Sequence, residues 1–122
     1  MIDCKVDTSL NAKLPELYVP NVTLRLDLYR RLGDAVAVNE IDSIGEELAD
    51  RFGPLPPEAE WLLALSKARV FGATRKCPLI KIEKFTITAQ KKVGKDLVDR
   101  KTLLPKAMTP ASLVAAIDQL TS

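Results

Sequence analysis

The chain offers three kinds of side chain that could do chemistry, namely clustered carboxylates, two thiols and a run of lysines. The carboxylates Glu46, Glu47 and Asp50 stand beside Arg51 in an acidic segment. On a helix Glu46 and Asp50 would share one face, where they could be imagined as acid and base or as metal ligands. An open helix face cannot shift their pKa values, and two or three oxygens make a poor cation cage. We therefore expect no catalytic residue and no metal site.

The composition excludes several classes of enzyme. None of the 122 residues is histidine, which rules out Ser-His-Asp and Cys-His catalysis and imidazole metal ligands. Cys4 and Cys77 are too few for a Cys₄ zinc site or a disulfide framework, so we expect a reduced, cytoplasmic setting. Gly94 and Lys95 lack the rest of a phosphate-binding loop, and no apolar run approaches the roughly 20 residues of a membrane span. We expect no membrane partner and no cofactor in this domain.

Basic residues are concentrated in the second half of the chain. Residues 1–70 carry 8 Lys and Arg against 12 Asp and Glu, whereas residues 71–122 carry 10 against 4. Five lysines on or beside the predicted sheet could contact nucleic-acid phosphates; they are Lys81, Lys84, Lys91, Lys92 and Lys95. Phe85 is the one aromatic residue among them, so the stacking platform of a single-strand binder is missing.

Two helices are predicted upstream of these lysines. Asn21 is a suitable N-cap for a first helix, whose stripe of Leu24, Leu28, Leu32 and Val36 is interrupted at Gly33; a strand is the rival interpretation, because Val22, Leu24, Leu26 and Leu28 also alternate. In the second helix Asn39 and Asp42 resemble a capping box, and Ile41, Ile44, Leu48 and Phe52 share one face until Gly53.

The rest of the chain predicts one more helix, a sheet and a last helix. The third helix should run from Pro57 to Thr74. Apolar and polar residues alternate over residues 2–6, as in a short edge strand. Further strands are predicted around Ile80–Ile82, 85–89, Leu97–Val98 and Leu103–Leu104. A turn or bulge is expected at Glu83–Lys84, and a hairpin connection at Lys91–Lys95. Thr109 and Pro110 should begin the last helix.

These elements predict an α+β fold, in which three consecutive helices precede a small antiparallel sheet and a closing C-terminal helix. We expect residues 1–122 to form a single domain, with an N-terminal strand and connector in 1–20, a helical part in 21–75, and the sheet and last helix in 76–122.

The second helix should present an acidic ridge to solvent. At about 100° per residue, Ser43, Glu46, Glu47 and Asp50 point away from the apolar face. Glu47 and Arg51 are four positions apart and are expected to pair. Two interpretations stay open: the ridge is a solvated face, or it is a docking edge for a basic partner surface.

Two stretches of the sequence together resemble a known family. Leu14–Ala35 reads LPELYVPNVTLRLDLYRRLGDA, and Glu46–Pro56 reads EELADRFGPLP. In order and spacing they resemble the C-terminal domain of the bacterial transcription-repair coupling factor (the Mfd family). Its pattern is Leu-Pro, aromatic-Val/Ile-Pro, Arg-Leu and Tyr-Arg/Lys-Arg, followed by Glu-Leu-x-Asp-Arg-Phe-Gly-x-Leu-Pro. The resemblance extends through the third helix, and the segment from Lys84 onward diverges.

The resemblance implies a fragment of a large ATP-driven double-stranded DNA translocase that engages stalled RNA polymerase, dislodges it and recruits UvrA. ATP and magnesium would belong to the motor domains of that parent, and this domain would be non-catalytic. In the family the C-terminal domain packs on an N-terminal UvrB-like module and masks its UvrA-binding surface. The resemblance assigns this contact to Glu47, Asp50 and Arg51, and we add the neighbouring Glu46. The alternative is a nucleic-acid-binding accessory domain that uses the lysine-rich sheet.

Overall fold

The computed structural model describes all 122 residues and confirms the α+β class. The elements in chain order are β1 (Lys5–Thr8), α1 (Val22–Asp34), α2 (Val38–Phe52), α3 (Pro57–Thr74), β2 (Leu79–Ile82), β3 (Thr86–Val93), β4 (Asp96–Leu103) and α4 (Pro110–Thr121). The chain divides into two compact units, a helical unit of Leu10–Lys67 and a sheet unit of Met1–Ser9 with Ala68–Ser122. That residues 1–122 act as one domain stays a prediction.

Helix α1 in the helical unit follows the 3.6-residue period. The side chain of Asn21 accepts a hydrogen bond from the Leu24 amide at 2.9 Å, as expected for an N-cap. Leu28 and Leu32 are buried whereas Leu26 is exposed, so the rival strand interpretation is wrong. Val36 lies beyond the end of the helix and is exposed, which contradicts its predicted place on the apolar stripe.

Helix α2 begins at Val38, one residue before the predicted N-cap. Ala37 takes the capping position in an extended conformation and makes no side-chain cap bond, so the predicted capping box of Asn39 and Asp42 is wrong. Asp42 instead pairs with Lys67 at 2.6 Å, and Glu40 accepts a hydrogen bond from the Val36 amide at 3.2 Å. Asp42 is thus engaged by a residue of α3, a partner that local spacing around the start of α2 does not indicate.

The apolar face and the C-terminal end of α2 match the sequence prediction. Ile41, Ile44 and Leu48 are buried in the helical unit. Gly53 ends the helix with φ of 90°, a backbone conformation that favours glycine, and its amide donates to the Ala49 carbonyl. Burial of one face therefore leaves the opposite face of α2 exposed.

The sheet unit contains one four-stranded sheet in the order β1-β2-β3-β4. Strand β1 pairs with β2 in parallel, and the other two pairs are antiparallel, so the sheet is mixed rather than wholly antiparallel as predicted. The parallel pair is possible because three helices separate β1 from β2 along the chain, which gives the crossover length that such pairing needs. Pairing also sets β1 at Lys5–Thr8 rather than at residues 2–6.

Strands β3 and β4 form a long hairpin whose details differ from the prediction. Strand β3 continues through Val93, so the connection is the two-residue turn Gly94–Lys95 instead of Lys91–Lys95. Gly94 has φ of 64°, as the first central residue of a type II′ turn requires. Strand β4 is continuous over Asp96–Leu103, so the two separate strands predicted there are wrong. The turn predicted at Glu83–Lys84 is confirmed, because β2 ends at Ile82 and β3 starts at Thr86.

The two faces of the sheet differ in polarity. Ile80, Ile82, Ile87 and Ala89 are buried on the face that α4 covers, and α4 packs on both β3 and β4. Helix α4 begins with the predicted N-cap, where Thr109 and Ser112 satisfy each other's backbone amides. The opposite face carries polar side chains. No helix combines the length and the apolar character that crossing a membrane requires.

Candidate functional site

Several residues of the resemblance motif hold the connector before α1 in place. The Leu14 amide donates to the Tyr29 hydroxyl at 2.8 Å, and the Tyr18 hydroxyl donates to the Gly53 carbonyl at 2.8 Å. The Tyr18 ring also packs on Phe52, with ring centroids 5.7 Å apart. These contacts join the connector to α1 and to the C-terminal end of α2. The Leu-Pro and aromatic-Val-Pro steps of the motif therefore serve the fold of the helical unit.

Glu47, one of the predicted docking residues, is engaged within the helical unit. Its carboxylate accepts hydrogen bonds from Arg31 of α1 at 2.7 and 3.4 Å, and both side chains are 35% exposed. This bond from Arg31 holds the pKa of Glu47 below its ordinary value of 4.5, and the same bond raises the pKa of Arg31. Glu47 thus forms its ion pair with Arg31, and the predicted partner Arg51 adds only a weaker attraction that also lowers the pKa of Glu47. The Arg51 guanidinium lies 5.4 Å from the centroid of the Phe52 ring.

The Arg31–Glu47 pair predicts a stability difference that depends on pH. Because folding lowers the pKa of Glu47, its stabilisation is complete above 4.5 and disappears as the pH falls through the lower folded value. Glu47→Gln should therefore reduce the free energy of unfolding by about 0.5 kcal/mol at neutral pH, and the difference should shrink in acid. Urea unfolding at about pH 7 and about pH 3 measures both.

Glu46→Gln is the matched control, since Glu46 is exposed and has no ion-pair partner. This variant should unfold like the parent chain at both pH values. A Glu47→Gln effect that persists unchanged in acid would contradict the assignment of the stabilisation to this ion pair.

Two of the five carboxylates on α2 have no ion pair or hydrogen bond. Glu40, Asp42 and Glu47 are engaged as described, whereas Glu46 and Asp50 are exposed and unpartnered. Glu46 and Asp50 lie one helical turn apart, about 6 Å between Cβ atoms, and Arg51 is exposed beside them. We call Glu46, Asp50 and Arg51 the α2 ridge. Its two carboxylates are exposed and unpartnered, and only Arg51 makes a contact within the unit, over the Phe52 ring.

An open groove of about 370 Å³ lies between the end of α1 and the start of α2. Its lining consists of Arg30, Arg31, Asp34, Glu40, Ser43 and Ile44. Arg30 pairs with Asp27 at 2.6 Å and with Asp34 at 3.5 Å, so its charge is balanced within α1. Sequence reasoning did not place these residues together, although Arg30 and Arg31 belong to the Tyr-Arg-Arg step of the motif. The groove is a concave surface next to the charged face of α2.

The predicted lysine site is divided among several surfaces. Lys81 and Lys92 lie on the polar face of the sheet, Lys95 lies in the hairpin turn, and Lys84 lies in the β2–β3 loop, 5.2 Å from the Phe85 ring centroid. Lys91 points to the α4 side, where its Nζ donates to the Thr121 carbonyl at 3.1 Å. The structure therefore does not bring the five lysines together on one face.

Three basic side chains stabilise the C-terminal end of α4. Besides Lys91, Arg100 donates to the Leu120 carbonyl at 3.3 Å, and Arg75 donates to the Asp118 carbonyl at 2.6 Å. These bonds satisfy helix-terminal carbonyls, and positive charge is favourable at that end of the helix dipole. Part of the basic charge of the second half of the sequence is thus used inside the sheet unit.

Most of the chain matches the model of a known domain family. The family model described as "TRCF domain" matches residues 8–101, which is most of the chain. The chain belongs to the TRCF domain family. The matched range includes the connector, all three helices of the resemblance motif and the β-hairpin up to Lys101.

Two bacterial relatives of this TRCF domain are each described as "Transcription-repair-coupling factor". The chain is 29% identical over 82 residues to the Bacillus subtilis protein, which covers 67% of the chain and 7% of the relative. It is 38% identical over 65 residues to the Escherichia coli protein, which covers 53% of the chain and 6% of the relative. The TRCF domain therefore spans only a small fraction of the length of these relatives.

A solved structure supports the fold of this TRCF domain. The structure described as "Crystal structure of C-terminal domain of transcription-repair coupling factor" matches with a TM-score of 0.69 and 20% sequence identity. The match covers 75% of this chain and 56% of that one. At this identity the likeness concerns the fold alone.

Proposed function

We propose that this TRCF domain is a non-catalytic docking lid within a longer transcription-repair coupling factor. The α2 ridge contacts an N-terminal UvrB-like module of the same parent chain and covers the surface that UvrA binds. Engagement of stalled RNA polymerase and double-stranded DNA by the parent then displaces the lid. ATP and magnesium act in the motor domains of that parent.

The observation that carries this proposal is the unpartnered charge on α2. Within the motif the fold itself uses Leu14, Tyr18, Tyr29 and Glu47, whereas Glu46, Asp50 and Arg51 make no ion pair. Charges that a domain leaves uncompensated on a rigid helix are available to a partner surface of complementary charge. The Arg31–Glu47 pair joins α2 to α1 directly beside the ridge.

The strength of such a contact suits a lid that must open. Exposed ion pairs contribute about 0.2 to 1 kcal/mol each, and two or three of them in the upper half of that range supply a coupling of about 1 to 3 kcal/mol. Such a coupling changes the accessibility of the masked surface about 5- to 150-fold. Because the pairs are exposed, added salt weakens them.

Binding in trans tests this proposal. The chain is titrated into the isolated UvrB-like module at low and at high salt, and fluorescence anisotropy reports the affinity. We expect a salt-sensitive complex that Glu46→Lys/Asp50→Lys weakens about tenfold or more. The matched control is Asp3→Lys/Glu60→Lys, which makes the same change of charge at two exposed positions outside α2 that, like the ridge carboxylates, have no ion pair.

Two results would overturn the lid assignment. One is equal binding by the ridge variant and the control variant, which would show that the ridge does not make the contact. The other is failure to bind the module together with a retardation of DNA that salt abolishes steeply, which would assign the domain to nucleic-acid binding.

A further inference from the structure

Strand β4 forms an open edge of the sheet. It pairs with β3 on one side, and its other side has no neighbouring strand. Seven of its eight residues are exposed, and its large apolar side chains are not covered, since Leu97 is 56%, Val98 43% and Leu103 75% exposed. An edge of this length with free backbone donors and acceptors is a template for another strand.

The residues of β4 are complementary to a second copy of themselves. If two β4 strands run antiparallel with Arg100 opposite Arg100, Asp99 faces Lys101 and Leu97 faces Leu103, each twice. All four of these residues lie on the polar face of the sheet, because Asp99 and Lys101 pair with Gln90 and Thr88 of β3. Neither Asp99 nor Lys101 has an ion pair within one chain. Directly opposed residues of opposite charge, and opposed apolar residues, stabilise an antiparallel pair.

Neighbouring registers lack this complementarity. A shift of the two-fold axis to Asp99 places Asp99 opposite itself and Leu97 opposite Lys101, and a shift to Lys101 places two lysines together. Like charges directly opposed destabilise a strand pair. The register centred on Arg100 also opposes two like charges, but each of those guanidinium groups donates to carbonyls at the end of its own α4. It alone flanks the axis with two attractive charge pairs and two apolar pairs, and the β4 sequence therefore favours it.

The face toward α4 also accommodates a second strand. The two Arg100 side chains lie on this face, and each guanidinium is held by carbonyls at the end of its own α4, including Leu120 at 3.3 Å. Beside β4 an open groove of ≈ 350 Å³ is lined by residues of β4 and α4, namely Arg100, Lys101, Thr102, Ala116, Gln119 and Leu120. Val98 and Thr102 of an added strand would face this groove, since they share the α4 side of the sheet.

We propose that β4 of one copy pairs antiparallel with β4 of a second copy, with Arg100 on the two-fold axis, to form one continuous sheet across a homodimer. The contact is isologous, because the same residues contribute from both copies. This interface is separate from the α2 ridge and does not depend on the lid function.

Charge exchange tests the proposed register. Sedimentation velocity over a range of concentrations should show a reversible dimer of the 122-residue chain. Asp99→Lys and Lys101→Asp should each raise the dimer dissociation constant about tenfold or more, because two attractive pairs become two repulsive pairs. An equimolar mixture of these two variants should form heterodimers, since the new lysine at position 99 faces the new aspartate at position 101.

Two further variants show whether a loss of dimerisation reflects the β4 register rather than a loss of folding. Asp99→Lys/Lys101→Asp restores complementarity within one chain and should self-associate like the parent chain; Gln90 and Thr88 opposite these positions are uncharged, so the exchange leaves β3 undisturbed. Lys13→Asp, a charge reversal in the helical unit, should leave the dimer unchanged. A monomer at every concentration, or single variants that dimerise like the parent chain, or a mixture that stays monomeric, would each overturn the proposal.

Discussion

Gly72→Ala is expected to lower the free energy of unfolding by about 3 kcal/mol, the cost of a methyl group that a packed interior cannot accept. Gly72 is a buried residue near the end of α3, and an added Cβ would overlap Sγ of Cys4, the residue before β1. It would also lie 3.1 Å from the Cys4 Cβ and 3.1 Å from the Cys77 carbonyl oxygen. Burial raises the pKa of Cys4 to about 11, so its thiol is neutral at ordinary pH and packs as a small apolar group.

Chemical denaturation of three variants tests this effect. Gly33→Ala is the matched control, because an added Cβ there meets no atom within 4 Å and α1 gains about 0.5 to 1 kcal/mol from the better helix former. Cys4→Ala combined with Gly72→Ala removes the overlapping sulfur and should recover part of the loss. Equal stability of Gly72→Ala and the parent chain would contradict the close packing of Gly72 against Cys4 and the Cys77 carbonyl.

Leu28→Ala is expected to cost about 2 to 5 kcal/mol, the usual range for a fully buried leucine. Leu28 has no exposed surface, whereas Leu26, two positions earlier on the same helix, is 63% exposed. Leu26→Ala should therefore change the stability by less than about 0.5 kcal/mol. Urea unfolding of both variants measures the difference, and similar losses for the two would support the strand interpretation, in which both leucines share one face.

The helices could be predicted from the sequence because their signals are local. The Asn21 and Thr109 caps, the Gly53 stop and the bounds of α3 all follow from residues within one or two turns. The start of α2 was predicted wrongly for the same reason, since Asp42 is drawn to Lys67, which is distant in sequence. A local cap rule cannot take account of such a partner.

The strands were less predictable than the helices. The parallel pairing of β1 with β2 joins residues more than 70 positions apart, as in Lys5 and Leu79, and alternation in either strand does not specify the partner. The exposed strand β4 has little apolar alternation because one edge and one face meet solvent. Its continuity comes from the ladder with β3 and not from its own pattern.

The candidate site was predicted in outline but not in its internal pairing. The angular arithmetic placed Glu46, Glu47 and Asp50 away from the apolar face of α2, and all three avoid burial. The structure then separates Glu47 from the other two, because Arg31 of α1 lies within 2.7 Å of its carboxylate. An ion pair between two helices depends on how the helices pack. The spacing of residues within either helix gives no information on that packing.

The masking claim is tested most directly by the affinity of the full-length parent for UvrA in the absence of RNA polymerase. Glu46→Lys/Asp50→Lys should raise this affinity about 5- to 150-fold, because neither carboxylate has a partner in the fold and both are free to hold the lid closed. Asp3→Lys/Glu60→Lys, with the same change of charge, should leave the affinity unchanged. An affinity that the ridge variant also leaves unchanged would contradict the account.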